Sequence, residues 1–309
     1  SMKNPEPAWR SLFRERDFLR LWLAGLAIFV VRWLEMLAIG VFAYTITHSA
    51  FVVAMLTMLR LLPMGLFGAF LGAVADRMDR RDALVLTLLS QVIASATVAA
   101  LAFADAIAVW HLAAASFVNG IAWAADNPVR RAMIGQVAGP ARMGAAMSID
   151  VATSNGSRVL GPTLGGVLLA ALGLDGAFLL SVLIYLPALA AVLRLPRGRP
   201  AQGAAGPRVF ASIAEGLALV RREPRLSGAL LVTLIYNLFG WPCLSMIPVI
   251  GQDQLGLGPR GIGVLAGTDG AGAFLGAMAV AMLARPQHYR AIYLGGTALF
   301  FAMLPAFAL

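Results

Sequence analysis

The chain has one cysteine, Cys243, which excludes an internal disulfide and any multi-cysteine metal site. It has one lysine, Lys3, ahead of every apolar run. A Walker-type phosphate loop needs a lysine behind its glycines, so the chain cannot hydrolyse ATP by that route. Its histidines, His48, His111 and His288, lack metal-ligand spacing. No nucleophile–base signature is present, and neither an enzyme nor a bound cofactor is expected. Charge is scarce as well. Charged residues are 13% of the chain, against about 25% in soluble globular domains.

What fills that space is apolar. Hydrophobic residues make up 60% of the sequence and mean hydropathy is +0.81. Nine apolar segments are predicted as helices, at 20–46, 50–74, 83–104, 108–130, 145–170, 176–194, 226–250, 261–284 and 291–309. Segments of such length can cross a hydrocarbon core of about 30 Å. The shorter, alternating strands of a membrane barrel are not seen. The fold class expected is an all-α membrane protein.

The net charge of +9 is a matter of sidedness and does not call for nucleic acid. The N-terminal lead and every second connection, counted with the adjoining segment-end residues Arg20, Arg130 and Arg194, hold 20 of the 24 Lys and Arg residues. The opposite connections hold Arg260, and Arg32, Arg60 and Arg158 fall inside segments. Basic loops stay on the cytoplasmic side, so the N-terminus is placed there, in a multi-pass protein of a bacterial inner membrane. No cleavable signal peptide is read, and Ser1-Met2 reads as the remnant of a cleaved tag.

Three regions are expected: 1–195 as a six-helix bundle, 196–225 as a cytoplasmic linker, and 226–309 as part of a second bundle. The linker is rich in Gly, Pro, Ala and Arg, and ends in a stripe of Phe210, Ile213, Leu217 and Val220 suited to the membrane surface. With three segments behind the linker against six before it, the sequence reads as lacking a further C-terminal part.

An ionisable side chain in hydrocarbon costs roughly 2.5–3.5 kcal/mol on insertion scales unless it meets protein or water, so such residues report the interior. Arg32 and Glu35 lie in segment one, Arg60 in two, Asn119 and Asp126 in four, Asn155 and Arg158 in five, Asn237 in seven and Asp269 in eight. Segments three, six and nine carry no charge and are expected to face lipid. Arg32 and Glu35 share a helix face and could neutralise each other, or both could face a central cavity with Arg158 nearby. Arg158 could instead pair with Glu35 or Asp126. Segments five and eight are glycine-rich, and Gly161, Pro162, Gly165 and Gly166 on one, with Gly267, Gly270, Gly272 and Gly276 on the other, are the expected helix crossing.

Between segments two and three stand Gly72, Asp76, Arg77, Arg80 and Arg81. This spacing resembles the loop signature of the major facilitator superfamily, with Asp79 in place of its second glycine. Gly161-Pro162-Thr163-Leu164-Gly165-Gly166 resembles the antiporter motif of that family, and Gly120 matches its fourth-helix motif, where Ser116 stands for the usual arginine. Longer phrases, such as Ala75-Asp76-Arg77 and Glu215-Gly216, are similar to its siderophore- and macrolide-exporter branch.

The resemblance implies twelve helices in two bundles, three of them missing here, with a substrate site at mid-membrane. It implies proton-coupled export of a small organic molecule, anionic, siderophore-like or drug-like, by a monomer in lipid. A carboxylate, Glu35 or Asp269, would take a proton on one side and release it on the other. A lipid or multidrug transporter of the same fold, and a non-transporting receptor or scaffold, are the alternatives. The loop at 76–81 would gate the cytoplasmic side, with Arg77 or Arg80 pairing to Asp126 or Asp150. Asp76→Asn is therefore expected to cut transport severely at near-normal expression, as measured by flux in vesicles; wild-type flux would refute the gating role.

Overall fold

The computed structural model describes residues 8–197, 218–283 and 288–308. Every element among them is helical. In order these are α1 (Ala8–Arg14), α2 (Arg16–Thr47), α3 (Ala50–Arg77), α4 (Arg80–Phe103), α5 (Val109–Ala138), α6 (Met143–Leu193), α7 (Pro224–Ile235), a π-helical turn (Tyr236–Gly240), α8 (Trp241–Ser245), α9 (Ile247–Asp253), α10 (Pro259–Leu283) and α11 (Tyr289–Ala308). Six stretches are long and apolar enough to cross a membrane: Arg16–Thr47, Ala50–Gly68, Arg80–Phe103, Met143–Leu193, Leu226–Asp253 and Pro259–Val280. Helices are the form such sequence must take, because lipid offers no partner for an open backbone N–H or C=O. The surface stripe expected at 210–223 falls outside the described residues as far as position 217.

Local chemistry sets the boundaries. His48, in left-handed conformation at φ 49°, ends α2, and its N–H closes on the Tyr44 carbonyl. Asp79 caps α4, accepting hydrogen bonds from the N–H groups of Arg81 at 2.9 Å and Asp82 at 3.4 Å. An acid at this position satisfies first-turn donors that a glycine would leave bare, which gives the residue in the signature loop a physical role. The fifth and sixth segments run on as α6 through one break. Gly173 there has φ 73°, ψ −174°, a conformation that a side chain resists.

α2 is the central helix of the first six, packed on α6, α5 and α3, while α4 fills the space between α5 and α6. Leu21, Ile28, Leu84, Leu88, Met133 and Tyr185 form one core and Ala38, Leu112, Leu174 and Phe178 another. The exposed faces are apolar too, with Phe51, Leu66, Ile93, Phe103 and Leu183 among the large side chains turned outward. That inversion is what a lipid-bathed surface requires.

α10 crosses α6 at backbone contact. A Cβ at Gly166 would lie 2.4 Å from the Pro259 carbonyl oxygen, and one at Gly270 would lie 2.3 Å from that of Arg158. The expected crossing is corrected in its members. Gly161 and Gly165 turn toward α2, where a Cβ would lie 2.5 Å from Trp33 and 2.8 Å from the Leu34 carbonyl oxygen. Gly272 and Gly276 have nothing within 4 Å among the described residues. Gly267 and Gly270 do meet α6 as expected, joined by Gly263 one turn earlier in the series.

Gly166→Ala should therefore cost about 1–3 kcal/mol by overpacking, read as a lowered thermal unfolding midpoint in detergent. Gly272→Ala should leave the midpoint where it is. Equal midpoints for both variants would refute the crossing.

Candidate functional site

Two polar assemblies lie within the apolar body. The first is enclosed by α2–α6. Glu35, with no exposed surface, accepts hydrogen bonds from the Ser95 hydroxyl at 2.5 Å and from Asn119 Nδ2 at 3.3 Å. Arg60, buried on α3, lies near enough to act on Glu35 electrostatically. Arg32 donates to Asp126 Oδ2 at 2.7 Å, and its guanidinium stands 4.7 Å from the centre of the Trp123 ring. Tyr185 donates to Gln91 at 2.8 Å. Further along α5, Arg130 pairs with Asp150, whose second oxygen lies 3.5 Å from Arg131 Nε.

The second assembly is a cleft between α2, α3 and α6 on one side and α8, α9 and α10 on the other. Arg158 on α6 donates to Asp269 Oδ2 on α10 at 2.8 Å, bridging the two sides. Trp33 and Trp241 stack across the cleft with centroids 6.1 Å apart and planes 5° from parallel. The Arg158 guanidinium sits 5.3 Å from the Trp33 ring centre. Met36, Leu37, Thr57, Leu244, Ser245 and Pro248 complete the wall. The cleft holds about 70 Å³ in this state, space for waters and not for the roughly 300–1,000 Å³ of a typical ligand pocket.

Behind Met36, Gly40, Val53 and Thr57 lies a void of about 10 Å³ that also touches Arg60 and Ser116. This is about the room one water needs. The buried Arg60 Nε and Asn119 Oδ1 have no hydrogen-bond partner among the described residues. The void thus stands between the cleft and the enclosed charges.

The structure separates residues that the sequence reading had put together. Arg158 and Asp269 lie in the cleft. Arg32, Glu35, Arg60 and Asn119 lie inside the first helical group, so the expectation that Arg32 and Glu35 both face the cavity with Arg158 is corrected. Nor do those two neutralise each other: Arg32 pairs with Asp126, and Glu35 is held by Ser95 and Asn119. Both expected partners for Arg158 are replaced by Asp269.

Asn155 lines a separate groove between α6 and α10 with Val151, Phe274 and Met278. Asn237 is exposed and donates to the Thr233 carbonyl of its own helix at 2.8 Å, away from the cleft. Asp126 pairs with Arg32, and Asp150 with Arg130 and Arg131; among the described residues neither pairs with Arg77 or Arg80 as expected. The Asp76 side chain and that of its neighbours back to Gly72 are outside the described residues.

Sequence reasoning missed Ser95, Gln91 and Tyr185, because segments three and six lack charge and read as lipid-facing. Their signal was there in neutral form. Gln91 and Ser95 are four residues apart, as are Ser181 and Tyr185, and each pair marks one buried helix face.

A bundle of apolar helices crossing glycine on glycine, with a cleft between two helical groups, is the architecture of a membrane transporter. The family model described as transmembrane secretion effector matches residues 8–309, and the chain belongs to that family of major facilitator transporters. It is 22% identical over 272 residues to macrolide efflux protein A of Streptococcus pyogenes, covering 87% of this chain and 67% of that one. It is 26% identical over 170 residues to the staphyloferrin A transporter of Staphylococcus aureus, covering 55% of this chain and 42% of the relative.

Among solved structures it resembles a bacterial homologue of the human lysosomal transporter Spinster, in an inward-facing and unoccupied conformation. The TM-score is 0.66 at 18% identity, over 91% of this chain and 64% of that one. The chain thus spans about two thirds or less of the length of these relatives. The fold is that of the major facilitator transporters.

Removing one member of a buried ion pair strands the other, at about 3–5 kcal/mol. Arg32→Met or Asp126→Leu alone should therefore destabilise strongly, and the double variant should recover most of the loss in thermal unfolding. Additive losses would show that the two charges are not a pair.

Proposed function

We propose that this chain is the larger part of a secondary active exporter of a bacterial inner membrane, which moves a small organic molecule outward in exchange for protons. The observation that carries the reading is the Arg158–Asp269 bridge, an ion pair in a cleft between two helical groups. A bridge that must break for the groups to part, and that a bound ligand can replace, links binding to conformational change. The groups correspond to the regions 1–195 and 226–309, joined by the linker at 196–225, and the exporter acts as a monomer in lipid.

The distribution of contacts supports an inward-open state. At the Thr47 end of α2 the groups meet closely. Tyr44 hydrogen-bonds Asp253, Gln252 Nε2 donates to the Val41 carbonyl at 3.2 Å, and a Cβ at Gly40 would lie 3.1 Å from Pro248. At the opposite end Gly272 and Gly276 meet nothing within 4 Å among the described residues, and a groove opens beside Asn155. With the N-terminus on the cytoplasmic side, as the basic loops require, the closed end faces out and the open end faces the cytoplasm.

In this mechanism Asp269 holds Arg158 when the cleft is empty. A substrate entering from the cytoplasm displaces that contact, the groups rock, and the cleft opens outward. A proton reaching the site from outside resets the cycle. Glu35, next to Arg60 and separated from the cleft by the one-water void, is a second carboxylate on which the proton can rest. The name of the macrolide efflux relative supports export as the direction, and both relatives' names support a small molecule as the cargo.

Full-length protein in proteoliposomes loaded with a lumenal pH dye, challenged with a panel of organic anions, cations and neutral drugs, tests this. A proton flux of sign opposite to that of one of these compounds is expected. Asp269→Asn should lower that exchange at least tenfold, and Glu35→Gln should flatten its pH profile. Compound flux indifferent to an imposed pH gradient would refute proton coupling.

A further inference from the structure

The cleft carries more chemical information than its location. Its two largest side chains, Trp33 and Trp241, come from opposite helical groups and present parallel faces. Trp33 is fixed from behind by Trp123, whose ring meets it edge-on at 6.4 Å and 71°. Parallel indoles offer flat faces, and an aromatic ring is the partner that matches two flat faces at once.

The polar end of the cleft is asymmetric. A guanidinium has five N–H donors, and a single hydrogen bond, to Asp269, is formed by Arg158 among the described residues. Its Nε is buried and has no partner among the described residues. A buried donor without a partner is costly and calls for an acceptor. No oxygen of Asp269 is in that position among the described residues. The unmet demand at this site is therefore for a hydrogen-bond acceptor, and a planar oxyacid meets the guanidinium fork with two parallel bonds. A cation seeking the Trp33 face would find Arg158 already over it at 5.3 Å.

We propose, resting on the reading of this cleft as the transport site, that it takes a flat aromatic carboxylate. The ring lies between Trp33 and Trp241, and the carboxylate takes the place of Asp269 on Arg158. The present cleft is narrower than the ligand. Two ring–ring contacts of about 3.5 Å each need the indoles about 7 Å apart, and their centroids are at 6.1 Å. Trp241 can yield, because it opens α8 directly after the π-helical turn Tyr236–Gly240 and is followed by Pro242. A π turn and a proline together weaken the helix ladder at that point. Parting the rings and breaking the Arg158–Asp269 contact are then one event, since both pairs span the same gap.

The test uses full-length protein in lipid nanodiscs and calorimetric titration with 2-naphthoate, 2-naphthamide and 2-naphthylmethylammonium. These probes share one ring system and differ in charge. Naphthoate is expected to bind at least tenfold more tightly than either of the others. Arg158→Lys, Trp33→Leu and Trp241→Leu should each weaken it at least tenfold. Asp269→Asn, which removes the competing carboxylate, should strengthen it at least threefold. Trp110→Leu, at an exposed position, should change nothing.

Tighter binding of the ammonium probe, equal binding of the amide, or weaker naphthoate binding by Asp269→Asn would overturn the proposal. If no naphthyl probe binds to protein that passes the proton-exchange test above, the ligand class falls and the transporter reading stands. If both fail, the reading of the cleft falls with it.

Discussion

A charge inside an apolar helix must find its partner on another helix. This constraint organises the whole molecule. Arg32 on α2 reaches Asp126 on α5, and Glu35 reaches Ser95 on α4 and Asn119 on α5. Arg158 on α6 reaches Asp269 on α10. Each contact costs desolvation that a buried pair only roughly recovers, so pairing is better understood as selecting one arrangement of helices than as adding stability. Apolar faces alone would not do this, because lipid tails are as apolar as leucine and leave helices free to rotate or slide. Glycine crossings supply the complementary element. They bring backbones close and say little about which rotation is correct, and the charged pairs settle the rotation.

The two polar assemblies answer to different demands. The enclosed one has all its main members on α2–α6, within one helical group. The cleft assembly is divided between the groups, so in the proposed cycle its contacts would be the ones that form and break. The sequence of either set gives no hint of the division. Arg32 and Arg158 are both arginines in apolar helices, and only the partner shows that one pairs within the first helical group and the other across the cleft.

Much of the fold was legible. Segment positions followed from apolar length, and most boundaries moved by a few residues. The larger change was at the end of the fourth segment, expected at 130, where α5 runs on to Ala138 and takes in Arg131. The list of interior residues was also legible, since burial of a charge is costly wherever it occurs. What could not be read was pairing. Arg32 and Glu35 are three apart, and local spacing made them candidates for each other. Their true partners lie 94 and 60 residues away for Asp126 and Ser95, a relation set by helix packing and absent from any local pattern. Counting only charges also hid Gln91, Ser95 and Tyr185, whose neutral polar groups are no less in need of a partner in hydrocarbon. The glycines showed a similar limit: Gly272 looked equivalent to Gly270, yet two residues along a helix turn a side chain to a different face.

The break at Gly173 has a mechanical consequence. The fifth and sixth membrane segments are joined there by a bent backbone with no intervening loop, so the joint has little slack. Arg158 lies on the first limb and Tyr185 on the second. In the proposed cycle a displacement of the first limb at Asp269 would be handed to the second as by a crank, and through the Tyr185–Gln91 hydrogen bond to α4. The far wall of the protein, which does not line the cleft, would in this way be geared to the Arg158–Asp269 contact.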